Sequence, residues 1–133
     1  MEEKDINISY KEYNSICNLP DNYRNLLEKA IEATKSSYAP YSGFNVGAAV
    51  LMGNGEIVTG SNQENAASPS GLCAERVALF AAHHNYPTVP VQAIAIIGSQ
   101  NGTLTSDLTY PCAACIQVME SVDSLLPFSF SSF

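Results

Sequence analysis

Apolar positions along residues 21–37 recur at helical spacing: Tyr23, Leu26, Leu27, Ala30, Ile31 and Thr34 fall on one face. Asp21 reads as the N-cap of this helix, and Pro40 stops it. The pattern then changes. FNVGAAVLM (44–52) is apolar at nearly every position, which predicts a strand covered on both faces. Gly47 and the alanines around it let a helix pack closely. EIVTGSN (56–62) follows across Gly53-Asn54-Gly55, and Asn-Gly between two β-prone runs is a strong hairpin signal. A second helix is expected from near Gly71 to about His83, with Val77, Leu79, Phe80 and Ala81 as its apolar surface. VQAIAIIG (91–98) reads as a third buried strand, SQNGT (99–103) as a turn-rich loop, and Pro111 as the opening of a third helix. Within residues 1–20, INISY alternates as a short half-buried strand would, and Pro20 ends the segment. The order helix, hairpin, helix, strand, helix predicts an α/β sandwich with helices on a mixed sheet. Residues 1–20 form an accessory arm, and 21–133 form one domain.

Composition narrows the function classes. The 133 residues are 46% hydrophobic and 14% charged, as in a globular chain. A net charge of −7 argues against nucleic acid, which is held mainly by Lys and Arg. No apolar run approaches the roughly 20 residues of a membrane helix, so no membrane partner is expected. MEEKDINISY is acidic and lacks a signal-peptide stretch, so the expected location is cytoplasmic. Thiols stay reduced there, and the four cysteines read first as ligands or catalysts.

Cys112 and Cys115 in YPCAAC share a helix face and can grip one Zn2+. Cys73, at the start of another helix, supplies a third thiolate. Three protein ligands leave a position open for water; four usually make a closed structural site, for which Cys17 is the remaining candidate. Buried thiols or a redox pair would also produce a C-x-x-C. Three thiolates on Zn2+ give a formal charge of −1, which two helix N-termini and Arg76, as a hydrogen-bond donor to sulfur, would offset. Glu75 is then not a ligand but a group that takes a proton from the activated water and delivers it elsewhere.

GSNQENAASPSGLCAERVALF followed by YPCAACIQV resembles the small homotetrameric, zinc-dependent cytidine deaminase family. The resemblance runs from about residue 22 to 133 and implies a three-layer α-β-α sandwich with one zinc per subunit. It implies Cys73, Cys112 and Cys115 as metal ligands and Glu75 as the catalytic proton carrier. YAPYSGFNVGAAVL (38–51) is similar to the family's first strand, placing Phe44 against the pyrimidine ring. Asn62 and Glu64 correspond to the pair that binds the ribose hydroxyl, and the Ala74 backbone to the reader of the base edge. DSLLPFSFSSF resembles the C-terminal tail, with Phe130 contributed across a subunit interface. The implied reaction is pyrimidine-salvage chemistry on a small nucleoside. Activated water attacks C4 of cytosine, Glu75 protonates N3 and then the departing amino group, and ammonia and uridine (or deoxyuridine) result.

Three positions depart from the family pattern. Ser68 stands where tyrosine is usual, which leaves room for another aminopyrimidine nucleoside such as blasticidin S. Ile116 replaces an arginine, shifting charge compensation onto Arg76. Between Val118 and Leu125 lie only seven residue steps, at most roughly 25 Å, too few for the family's last two strands. Either those strands are absent or a stretch of chain is omitted. Their loss would fit a catalytically inactive zinc-binding assembly module.

Overall fold

The computed structural model describes residues 1–5, 11–105, 109 and 111–121. Its elements are α1 (Asp21–Ala33), β1 (Phe44–Met52), β2 (Ile57–Ser61), α2 (Ala74–Asn85), β3 (Val91–Gln100), β4 (Thr103–Leu104) and α3 (Ala113–Ser121). The INISY segment, Phe130 and the chain from 122 onward lie outside the described residues.

β1 is the axis of the sheet, whose order is β2-β1-β3-β4. Its nine residues alternate between two apolar layers. Ala48, Val50 and Met52 face Ala74, Ala78, Leu79 and Ala82 of α2 and Cys115 and Met119 of α3. Ala49 faces the other way, with Leu26 and Ala30 of α1, and Leu51 packs against that cluster. This two-sided burial explains the continuous apolar run and gives the expected three-layer α-β-α sandwich. Every strand pairing among the described residues is antiparallel, where the sequence suggested a mixed sheet. β2 and β3 do run parallel, joined by the α2 crossover, but β1 lies between them, so they never pair.

In β3 the register against β1 jumps between Leu51, opposite Ala93, and Met52, opposite Val91. Gln92 is the extra residue and is exposed. The bulge reverses the alternation, so Val91 joins Ile94 and Ile96 on the α2 side.

Both helix layers approach the sheet through glycine. A Cβ at Gly47 would collide with the carbonyl oxygen of Ala30 in α1, as the sequence suggested. A Cβ at Gly60 would lie 2.5 Å from the Ala78 nitrogen and 2.7 Å from the Ala74 oxygen of α2. Gly60 was not singled out from sequence. The Asn-Gly hairpin forms, but as a turn closed by Gly55 N–H to Met52 O at 2.9 Å. Only Gly55 within it has positive φ (88°), so Asn54 stays right-handed. At Asn101-Gly102 both residues have positive φ (53° and 82°), and the expected loop is a tight hairpin into β4.

Several helix details differ from expectation. Pro20, not Asp21, occupies the cap of α1, and Asp21 pairs with Arg24 at 2.6 Å in the first turn. The helix ends at Ala33 and tightens into a 3-10 turn over Thr34–Ser36. Tyr23 and Phe80 are each 48% exposed, because small residues (Ala30 in α1; Ala74, Ala78 and Ala82 in α2) occupy the contact stripes.

Replacing Gly60 by Ala is expected to destabilise the fold by about 1–3 kcal/mol through overpacking against the α2 backbone. Urea unfolding would measure this; wild-type stability would show that α2 can retreat without cost.

Candidate metal centre and cleft

The three sequence-predicted metal ligands converge. Cys73 is the N-cap of α2 in extended conformation (φ −71°, ψ 155°), so the helix begins at Ala74 rather than Gly71. Its carbonyl accepts from Val77 N–H at 3.1 Å, while its sulfur makes no cap bond. Cys112 directly precedes α3, which begins at Ala113 rather than Pro111; its carbonyl accepts from Ile116 N–H at 2.9 Å. Cys115 lies one turn on and is fully buried. The Cys73 and Cys112 sulfurs are 3.6 Å apart, those of Cys112 and Cys115 3.5 Å. All three lie within 4.8 Å of one another. Tetrahedral zinc with Zn–S of about 2.3 Å sets its sulfurs about 3.8 Å apart, so the donor set and spacing fit.

The surrounding charges suit thiolates. Backbone N–H groups of Cys115 and Ala114 reach the Cys112 sulfur, and the first of these bonds does most to hold its pKa below the usual thiol range. Burial pushes Cys115 far above that range when no cation is present. Arg76 Nη2 donates to the Cys73 sulfur at 3.5 Å, and this bond raises the guanidinium pKa. Arg76 Nε is buried with no partner among the described residues. Glu75 is 3% exposed, with Oε2 3.7 Å from the Cys115 sulfur, which donates to it.

An open cleft of about 590 Å³ reaches the sulfur cluster, lined by Tyr41, Asn62, Glu64, Ser68, Cys73 and Arg76 among others. Its floor is a short rung: Gln63 bridges to Tyr38 on one side and to Leu72 on the other. The second bridge places Cys73, through Leu72 N–H to Gln63 O at 3.0 Å. Asn62 is partly engaged: its Oδ1 accepts from Val46 N–H at 2.8 Å and its Nδ2 donates to Phe44 O at 2.9 Å. One acceptor lone pair and one N–H remain. Phe44 opens β1, and its ring lies across Gly98, where a Cβ would meet Cζ at 2.5 Å. Ala74 is fully buried in the first turn of α2.

A family model described as the cytidine and deoxycytidylate deaminase zinc-binding region matches residues 20–124. The chain belongs to this deaminase family. It is 44% identical over 94 residues to a cytidine deaminase of Halalkalibacterium halodurans, covering 71% of this chain and 67% of that protein. It is 37% identical over 102 residues to a cytidine deaminase of Mycobacterium tuberculosis, covering 76% and 72%. Among solved structures, a Burkholderia pseudomallei cytidine deaminase aligns with a TM-score of 0.68 at 39% identity, covering 77% of each chain. A Mycobacterium leprae cytidine deaminase aligns at 0.67 and 32%, covering 79% of this chain and 83% of that one. The chain spans about two thirds of the length of its H. halodurans and Sporosarcina psychrophila relatives (67% and 65%).

Membership in the deaminase family and the sulfur geometry agree on the metal: one zinc, for which the cluster of Cys73, Cys112 and Cys115 offers three sulfur donors. Sequence reasoning missed part of the cleft. Tyr41, which was not singled out from sequence, is 65% exposed on its wall. Gln63 and Leu72 carry no motif signal, because their contribution is backbone pairing. No helix of the described residues is long and apolar enough to cross a membrane.

Cys115→Ser is expected to purify with far less than one zinc per chain, and Cys17→Ser with the wild-type amount, by elemental analysis. Loss of zinc from the Cys17 variant would instead indicate a four-cysteine site.

Proposed function

We propose that this chain hydrolytically deaminates cytidine and deoxycytidine, consuming water and releasing ammonia with uridine or deoxyuridine. The observation that carries the reading is a buried carboxylic side chain, Glu75, whose Oε2 lies 3.7 Å from one member of a three-sulfur cluster at a cleft of nucleoside size. Zinc bound there supplies Lewis acidity that lowers the pKa of water.

The remaining work belongs to side chains and backbone. Glu75 accepts the proton of the attacking water and delivers it to N3 of the pyrimidine; it then takes the remaining proton from the new C4 hydroxyl and passes it to the amino group, which leaves as ammonia while C4 becomes a carbonyl. Its burial keeps that proton from exchanging with bulk solvent. Arg76 balances thiolate charge through Cys73. Ala74 offers first-turn backbone to the base edge, Phe44 an aromatic face, and Asn62 and Glu64 polar contacts for the ribose. Phe130 is assigned to a neighbouring subunit's site in a homotetramer. Residues 21–133 form the deaminase domain with 1–20 as its accessory arm. The setting is cytoplasmic pyrimidine salvage.

Glu75→Gln is expected to keep zinc and lose turnover by about 10²–10⁴-fold. Ammonia release from cytidine, with zinc quantified on the same sample, tests this. Near-normal turnover would remove Glu75 from the chemistry, and zinc without ammonia in the wild type would refute the activity. Arg76→Ala is expected to weaken zinc binding about 10–100-fold in a chelator competition; unchanged affinity would assign the charge balance to the helix N-termini alone.

A further inference from the structure

We propose that Ser42 is a positioning residue for substrate binding, fixing the Glu64 carboxylate so that one acceptor position of Oε2 is presented to the cleft. The inference rests on the nucleoside reading of that cleft.

Glu64 lies on the rung beyond β2, its N–H held by Tyr38 O at 2.8 Å. Its Oε1 accepts the consecutive N–H groups of Tyr41 (3.0 Å) and Ser42 (3.1 Å). Its Oε2 accepts the Ser42 hydroxyl at 2.6 Å. A carboxylate offers about four lone-pair positions, and these bonds fill three of them. The fourth is on Oε2, the oxygen whose direction the Ser42 hydroxyl sets. The two N–H groups hold Oε1 alone and leave the carboxylate free to pivot about it. The hydroxyl adds a second point and stops the pivot.

Ser42 reaches a second site element as well. Its Oγ accepts from Phe44 N–H at 3.1 Å, at the start of β1. The loop is shaped to bring these groups together: Gly43, at φ +67°, closes it with an N–H to Ala39 O at 3.0 Å. The same bonds keep Glu64 ionised below the usual carboxylate range, the Ser42 hydroxyl contributing most. Ser42 therefore couples the expected ribose contact to the expected aromatic contact without lining the cleft itself.

The test uses the full zinc-loaded chain. Ser42→Ala is expected to raise KM for cytidine about tenfold, in keeping with loss of a bond to a charged group, with kcat within about twofold. The Kd for uridine, measured by calorimetry, should rise in parallel, and Ser42→Thr should restore both. In a Glu64→Gln background, Ser42→Ala should add less than about a twofold further change, because it acts through that carboxylate. Unchanged KM and uridine Kd in Ser42→Ala overturn the proposal, as does a loss confined to kcat, or a threonine variant no better than alanine. A Ser42→Ala chain that fails to fold also overturns it, since the two N–H bonds should hold the loop unaided. A wild type that neither turns over cytidine nor binds uridine refutes the functional reading itself; a wild type that does either, matched by Ser42→Ala, refutes only the role of Ser42.

Discussion

Helix α2 rests on β2 backbone to backbone. The contact at Gly60 admits no side chain, and it falls on the first turn of the helix, at Ala74 and Ala78. That turn carries Cys73 at its cap, Glu75 inside the protein and Arg76 beside the sulfur. Where α2 begins and how deeply it lies thus decide where three chemical groups stand. The Gln63–Leu72 bridge fixes the same point from the other side. Cysteine at the helix cap is then free to turn its sulfur outward, because backbone pairing rather than a side-chain cap sets the start of the helix.

The second requirement is charge. Three thiolates and a buried carboxylate within one small volume repel one another strongly in a medium of low dielectric. The structure answers with N–H groups of Ala114 and Cys115 on the Cys112 sulfur and a guanidinium on that of Cys73. Cys115, deepest and least solvated, depends most on the metal. Ile116 stands where the family often has arginine, so Arg76 is the guanidinium that serves the cluster.

Much of this was legible in sequence because strand and helix periodicity report burial directly. FNVGAAVLM showed its two covered faces, and Gly47 its close helix contact. The clustering of Cys73, Cys112 and Cys115 was legible because a C-x-x-C pair shares one helix face and a third cysteine stands at another helix start. What escaped has a common cause: it depends on backbone paired across the chain. The starts of α2 and α3 shifted by two or three residues because Cys73 and Cys112 cap helices rather than enter them. The bulge at Gln92 and the rung at Gln63 leave no compositional trace. Phe80 and Tyr23 looked like core by type, yet alanines form the contact stripes, since only small side chains permit such close layers.

Cys73 and Cys112 are 39 positions apart, on opposite sides of β3 in chain order. An ion held by both is therefore also a crosslink. It ties the hairpin-and-helix half of the domain to the strand-and-helix half that follows. Because the donors come together only in the folded chain, binding of the ion is linked to folding and stabilises the native state by its affinity for that state. The group that equips the cleft for chemistry is at the same time a clasp on the topology, and occupancy of the site reports that the two halves have met.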